Sequence, residues 1–198
     1  MDIVIHQITA RYEKKDILRD FSAVIPEKQT TVIMGSSGCG KTTLLYLLMN
    51  LLHPAAGTIS GVPDKISVVF QEERLCEDFS AVENIQLVLR KKQKDNIVED
   101  SLREIGLGDS LPMPVSQLSG GMRRRVAIVR AVLAESDAIL LDEPFKGLDA
   151  DTKTTVINFL MRKTKGKTVI LVTHDEEEAT LLGDHVLRLE PVGALTKE

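Results

Sequence analysis

Short, unbroken apolar runs recur along this chain and predict buried strands. Runs of this kind are typical of strands that are covered on both faces of a parallel sheet. Nearer the start, a looser alternation of apolar and polar positions over residues 2–9 and 21–25 also predicts strands. The unbroken runs cover residues 31–34, 66–70, 138–141 and 168–172, with a last strand expected at 185–189.

The middle of the chain follows the helical period instead. A capping box, in which Ser80 is followed three residues later by Glu83, predicts the start of a helix. Apolar side chains recur at helical spacing over residues 96–105, and a further helix is expected from Ser119 to about Ala134. The pattern therefore predicts a helical block inserted into a strand-rich core.

The length suits a single α/β domain, because 198 residues can enclose one proper core and are too few for two nucleotide domains. We expect one domain over residues 1–198, with its core in 1–72 and 135–198 and a helical subdomain over about 73–134. No apolar run approaches the roughly 20 residues that span a bilayer. The first residues also lack the pattern of a cleavable signal, so any membrane role must come through a partner.

Charge, aromatic content and cysteine spacing bear on the partners and the compartment. The net charge of -4 and the absence of tryptophan argue against nucleic acid as the main partner. The short basic runs at 90–92 and 123–125 are interpreted as solvated helix surface. Cys39 and Cys76 have no metal-binding spacing and suggest no disulfide framework, which favours the cytosol.

A phosphate-binding loop of the form G-x-x-x-x-G-K-[ST] is the most informative motif. The ammonium of Lys41 would reach the β- and γ-phosphates and the hydroxyl of Thr42 would ligate Mg²⁺. A predicted strand precedes the loop and a helical stretch follows it, which favours nucleotide binding over an ordinary glycine-rich turn. The loop consists of Gly35, Ser36, Ser37, Gly38, Cys39, Gly40, Lys41 and Thr42.

Two carboxylates end the strand predicted at 138–141. Asp142 at the C-terminal end of a buried strand would lie beside the magnesium of the phosphate loop. Glu143 would lie near the γ-phosphate, where it could orient or deprotonate an attacking water. The alternative is a strand that runs into a capped turn at Pro144, but the upstream phosphate loop favours a metal and catalytic role.

A second candidate anion site begins the helix that follows Leu118. Ser119, Gly120 and Gly121 form a helix N-terminus with little side chain, and its free N–H groups favour an anion. The alternative is a serine N-cap after a flexible turn. Together with one phosphate loop, the motif suggests that a second copy of the chain grips the same triphosphate from the opposite side.

The combination of motifs resembles the nucleotide-binding subunit of an ATP-binding cassette (ABC) transporter. The resemblance implies a P-loop NTPase core with a parallel sheet, an N-terminal antiparallel β subdomain and an inserted helical subdomain that carries the signature motif. The motifs match in order along almost the whole chain. They are the phosphate loop, Gln71 after a strand, Leu118-Ser119-Gly120-Gly121, Asp142-Glu143-Pro144, Gly147-Leu148-Asp149, and His174 after Leu171-Val172-Thr173.

The resemblance also implies roles for individual residues in binding ATP and Mg²⁺. Glu143 would be the general base, and His174 would contact the γ-phosphate; its alternative is a cap for a helix that begins near Asp175. Met122 stands where the family usually has glutamine. The other implied contacts are Lys41 and the amides of 36–42 on the phosphates, Thr43 on the α-phosphate, Thr42, Gln71 and Asp142 at the metal, Ser119 and Gly121 on the partner's γ-phosphate, and Tyr12 on adenine.

The partners that the family implies are a second, head-to-tail copy or a homologous ATPase subunit, and transmembrane permease subunits. A groove beside Gln71, lined by residues 72–79, would receive the permease. The segment 70–75 resembles importers of sulfonate, nitrate, taurine and bicarbonate, which adds a solute-binding protein and a cytoplasmic position on the inner face of the membrane. The alternative is a stand-alone soluble ABC ATPase of a non-transport assembly system.

Overall fold

A computed structural model describes residues 1–13, 15–89 and 96–192, which form two sheets and a set of helices around them. The strands are β1 (Ile3–Tyr12), β2 (Lys15–Ile25), β3 (Thr30–Met34), β4 (Ala56–Ser60), β5 (Ile66–Val69), β6 (Ala138–Asp142), β7 (Thr168–Val172) and β8 (His185–Arg188). The helices are α1 (Lys41–Leu48), α2 (Ala81–Gln86), α3 (Asn96–Glu104), α4 (Gly120–Leu133), α5 (Ala150–Lys163) and α6 (Glu176–Leu182).

The larger sheet has five parallel strands in the order β5-β6-β7-β3-β8. Every residue of β6 and β7 is buried, as their apolar runs predict. Side chains alternate between the two faces of a strand, so neighbouring residues enter different clusters: Leu140 packs with α1 and the antiparallel sheet, whereas Leu141 packs with α4 and α5. The α/β fold with a parallel sheet is confirmed.

The smaller sheet is antiparallel, in the order β2-β1-β4. Ile3 pairs with Ile25 and Ile5 pairs with Ile59. The apolar pattern indicated β1 and part of β2 but not β4, because four of the five residues of β4 are exposed. An edge strand of this kind carries almost no apolar signal, and only its pairing with β1 identifies it.

The helical block between β5 and β6 forms as the periodicity predicts. The capping box of Ser80 and Glu83 is present at the start of α2. The fully buried Asn84 bonds through its side chain to the backbone of Cys76, Phe79 and Ser80, which holds the segment before the helix. Two 3-10 turns, Gly108–Ser110 and Val115–Gln117, lead from α3 to α4.

One interpretation of the sequence is wrong. Arg124, in the middle of the basic run 123–125, is 4% exposed and not part of a solvated surface. The other basic run, at 90–92, lies outside the described residues. Within the described ranges, no helix is both long and apolar enough to cross a membrane.

Candidate active site

The order of the parallel strands brings the predicted motifs to one edge of the sheet. The segments that follow β5, β6, β7 and β3 lie side by side there, because parallel strands end at the same edge. Residues from all four segments enclose a cleft of about 320 Å³. Its lining consists of Tyr12, Ile17, Ser37, Gly38, Gly40, Lys41, Thr42, Thr43, Gln71, Glu143 and His174.

The phosphate loop leads directly from β3 into α1. Gly38 and Gly40 have φ angles of +78° and +105°, which a residue with a side chain adopts only with strain. Gly40 is the N-cap of α1, so the positive end of that helix opens into the cleft. The ammonium of Lys41 donates to the carbonyl oxygens of Gly35 (2.7 Å) and Ser36 (2.9 Å), and this keeps the loop closed on itself.

The loop residues do not all face the cleft. Gly35, Ser36 and Cys39 do not line it, and Cys39 is fully buried in the core beneath the loop. A contact between these three residues and a phosphate would therefore use their backbone groups. The side chains at the cleft belong to Ser37, Lys41, Thr42 and Thr43.

The proposed metal ligands meet behind the cleft, in an adjoining pocket of about 140 Å³. Thr42 donates its hydroxyl to Oδ2 of Asp142 at 3.0 Å, and Gln71 lines the same pocket. Burial raises the pKa of Asp142 despite the bond from Thr42. Its Oδ1 is buried and, among the described residues, has no hydrogen-bond partner. A hydrated Mg²⁺ fits this donor set, because it would supply the missing partner and favour the charged carboxylate.

Glu143 and His174 come together because β6 and β7 are neighbours in the sheet. The amide of Glu143 donates to the carbonyl of Val172 at 2.9 Å, which extends the pairing of the two strands by one bond. Glu143 has a φ of +47°, unusual for a residue other than glycine. Its Oε1 lies 3.4 Å from Nδ1 of His174. The fold thus turns both side chains towards the phosphate loop.

Ion pairs and a hydrogen bond hold the segment that carries His174. Lys153 of α5 bridges Asp175 (2.5 Å) and Glu178 (2.7 Å), and Glu178 in turn accepts a hydrogen bond from Thr173. The hydrogen bond from Lys153 holds the pKa of Asp175 below its usual range. Asp175, not His174, caps α6, so the structure does not support the alternative role for the histidine.

Two residues at the site were not found from the sequence. Lys146 lies 3.3 Å from Oε2 of Glu143, and Ile17 lines the cleft close to Gly40. Neither belongs to a motif. Lys146 reaches the carboxylate through the turn that follows β6, and Ile17 reaches the cleft because β2 folds back along β1. Tyr12 lies at the end of β1 and is half exposed at the mouth of the cleft.

The signature residues lie apart from this cleft. Ser119, Gly120 and Gly121 are not in its lining. The hydroxyl of Ser119 accepts from the amide of Met122 at 3.3 Å and caps α4. Met122 packs against the core, which suits its apolar character better than a phosphate contact would. The start of α4 therefore lies outside the cleft that its own phosphate loop lines.

Comparisons with known proteins agree with these motifs. A sequence profile described as ABC transporter matches residues 18–146. The aliphatic sulfonates import ATP-binding protein SsuB 1 of Paracoccus denitrificans is 36% identical over 190 residues, covering 94% of this chain and 78% of the relative. The taurine import ATP-binding protein TauB of Yersinia pestis is 39% identical over 196 residues, covering 92% and 77%.

Solved structures show the same fold. The dimeric structure of a bacterial ABC transporter cassette has a TM-score of 0.81 and 27% identity, and the match covers 95% of this chain and 94% of that one. An ATP-binding subunit of an ABC transporter has a TM-score of 0.86 at 23% identity, which supports the fold alone. By the profile and by the identity with its relatives, this chain belongs to the ABC transporter family.

Proposed function

We propose that the chain binds Mg-ATP between two head-to-tail copies and hydrolyses it to drive the import of a small sulfonate. The observation that carries this proposal is the division of the site. Lys41, Gln71, Glu143 and His174 share one cleft, whereas Ser119 lies outside it. Each cleft is therefore complete only when a second subunit supplies its signature helix.

Nucleotide binding is assigned to the exposed side of the cleft. Tyr12 would stack on adenine, and the phosphates would bind the amides of 36–42 at the positive end of α1. Thr43 would contact the α-phosphate. On binding, Lys41 would exchange the carbonyls of Gly35 and Ser36 for the β- and γ-phosphates.

Hydrolysis is assigned to Glu143. Its carboxylate would accept a proton from water as the water oxygen bonds to the γ-phosphorus and the bond to the bridging oxygen of the β-phosphate breaks. His174 would hold the γ-phosphate. Thr42, Gln71 and Asp142 would hold Mg²⁺, which neutralises charge on the phosphates when bound.

Closure of the two subunits is assigned to the signature motif. The amides of Ser119 and Gly121 in the partner would meet the γ-phosphate only in the closed dimer. A ligand shifts an equilibrium only by its differential affinity for the two states, and this contact would provide the difference. Loss of the γ-phosphate would therefore reopen the dimer.

The import role is supported by the relatives, which are named as import ATP-binding proteins for aliphatic sulfonates and taurine. These names favour transport over a stand-alone assembly ATPase. We assign the groove beside Gln71, over residues 72–79, to permease subunits; Phe79, the last residue of this segment, is exposed. The chain would then sit on the inner face of the membrane through these partners, and a solute-binding protein would deliver the sulfonate.

A growth experiment tests this role. Cells that lack the gene should fail to grow with taurine or an alkanesulfonate as the only sulfur source, and the wild-type gene should restore growth. Lys41→Ala should not restore it, because the variant loses the ammonium that holds the phosphates. Growth on sulfate is the control. Normal growth of the deletion strain on every sulfonate tried would argue against the proposed solute class.

A further inference from the structure

Arg124 of α4 is a buried arginine that holds the backbone on both sides of Gln71. Its guanidinium donates to the carbonyl of Phe70 and to the carbonyl of Gln71, each at 2.5 Å. Its Nε lies 3.6 Å from a carboxylate oxygen of Glu73. A guanidinium presents its donors in a rigid, planar fork, so the two carbonyls are held in a fixed relation to each other and to α4.

A second arginine on the same helix holds the next part of the loop that contains Gln71. Arg130 donates to the carbonyls of Glu73 (2.9 Å) and Arg74 (2.8 Å). The two arginines are six residues apart, a rise of about 9 Å along a helix, and the loop runs beside them. Four of the five carbonyls in residues 70–74 therefore bond to α4. The path of this loop depends on the helix that begins with the signature motif.

The two hydrogen bonds from Arg124 constrain Gln71 in particular. The carbonyls of Phe70 and Gln71 belong to the two peptide units that flank the α-carbon of Gln71. Because both units bond to one rigid guanidinium, the direction in which the Gln71 side chain leaves the backbone is restricted. Gln71 lines one pocket together with Asp142, whose carboxylate accepts from Thr42.

We propose that Arg124 is a positioning residue that holds Gln71 beside Asp142 in the geometry required for the metal. The inference rests on the metal role assigned to Gln71 under the proposed function. It adds that the affinity for the metal depends on a side chain of the signature helix. Residues that orient a metal ligand typically change affinity or activity by about 10–100-fold when they are lost.

The competing explanation is that Arg124 only stabilises the fold. Arg125 provides the matched control, because it lies on the same helix and also donates to backbone carbonyls, those of Ile105 (2.8 Å), Gly106 (3.2 Å) and Gly121 (3.3 Å). The first two carbonyls follow α3 and the third lies in the first turn of α4, so none is part of the Gln71 loop. Replacing either arginine with glutamine removes similar hydrogen bonds, so a purely structural role predicts similar effects.

The test measures metal binding directly. Mn²⁺ replaces Mg²⁺ as a spectroscopic probe and is titrated into the complex of the protein with ATP. Electron paramagnetic resonance follows its binding. Every protein also carries Glu143→Gln to prevent turnover. Arg124→Gln should weaken Mn²⁺ binding by about tenfold, whereas ATP affinity in EDTA should stay at the wild-type value. Arg124→Lys, which keeps a charged donor, should be intermediate. Arg125→Gln should bind Mn²⁺ as the parent does.

The Gln71→Ala variant distinguishes failure of the inference about Arg124 from failure of the metal role assigned to Gln71. If Arg124 acts through Gln71, adding Arg124→Gln to Gln71→Ala should weaken Mn²⁺ binding no further. Unchanged Mn²⁺ binding in Gln71→Ala would overturn the metal role of Gln71 and this inference with it. A clear loss in Gln71→Ala but none in Arg124→Gln would overturn the inference alone. Failure of both Arg124 variants to fold, with Arg125→Gln folded, would also count against it by indicating a structural role.

Discussion

Folding and the proposed metal binding would make opposite demands on Asp142. Its carboxylate is buried, and burial raises its pKa because the charged form loses solvation. A neutral side chain would suit the isolated protein better. The proposed Mg²⁺ site would require the charged form, which is unfavourable in the fold without the metal.

Replacing Asp142 with asparagine should therefore stabilise the nucleotide-free protein. A gain of about 1 kcal/mol would raise the melting temperature by about 2–4 °C in a chain of this size. Because the folded pKa is raised, the native state binds more protons than the unfolded state, and the cost of the charged form grows as the pH rises through that pKa. The advantage of Asp142→Asn should thus be present at neutral pH and should shrink as the pH falls.

Melting curves without nucleotide, recorded from neutral to mildly acidic pH, check this expectation. The same variant should lose Mg²⁺-dependent hydrolysis, which separates the metal role from stability. A variant that melts below the wild type at neutral pH would contradict the account of Asp142 as an unfavourable buried charge.

At the scale of the elements, Lys153 ties α5 to the start of α6. It bonds to Asp175 and to the buried Glu178, and these residues hold the segment that carries His174. Removing one partner of a buried ion pair leaves the other charge uncompensated. The network therefore fixes the position of the His174 segment through contacts that lie outside the cleft.

Lys153→Met should lower the stability by about 1–3 kcal/mol, because two carboxylates lose a charged donor. The pKa of Asp175 is lowered in the fold, so its contribution is present above the unfolded pKa and is lost as the pH falls through the folded value. The difference between Lys153→Met and the wild type should accordingly narrow at acidic pH. Urea unfolding at several pH values measures this difference in the free energy of unfolding.

The double variant Lys153→Met/Glu178→Gln is the control for this interpretation. It removes the buried charge together with its partner, so part of the lost stability should return. A double variant that is less stable than Lys153→Met would contradict the account of an uncompensated charge, and would indicate that the Glu178 carboxylate stabilises the fold through Thr173 without Lys153.

At the scale of the whole molecule, local patterns predicted most of the architecture. The apolar runs of β6 and β7 and the periodicity of α3 and α4 identify these elements because each has a buried face. The edge strand β4 is largely exposed and was missed. The helix α5 was not predicted either, although Val156, Ile157, Phe159 and Leu160 give it an apolar face.

The residues of the candidate site also divide into those that the sequence identifies and those that it does not. Motif residues such as Lys41 and Glu143 could be found because their chemistry needs fixed spacing from a strand end. Ile17 and Lys146 could not, because their positions depend on a hairpin and a turn that only the folded chain defines. Arg124 was misread for a similar reason, since a run of arginines does not reveal which one faces the loop at Gln71.

The central claim is that two copies enclose ATP, each supplying the signature helix for the other's cleft. Its most direct measurement is the molar mass of Glu143→Gln by light scattering with Mg-ATP. General-base catalysis contributes typically about 10²–10⁴-fold, so the variant should bind ATP, turn over very slowly, and shift from 21.9 kDa to twice that mass. Adding Ser119→Arg, which places a bulky side chain against the facing nucleotide, should keep it monomeric with ATP still bound. A molar mass that does not change when Mg-ATP is added would contradict the account. So would an ATP-dependent dimer that still forms with Ser119→Arg.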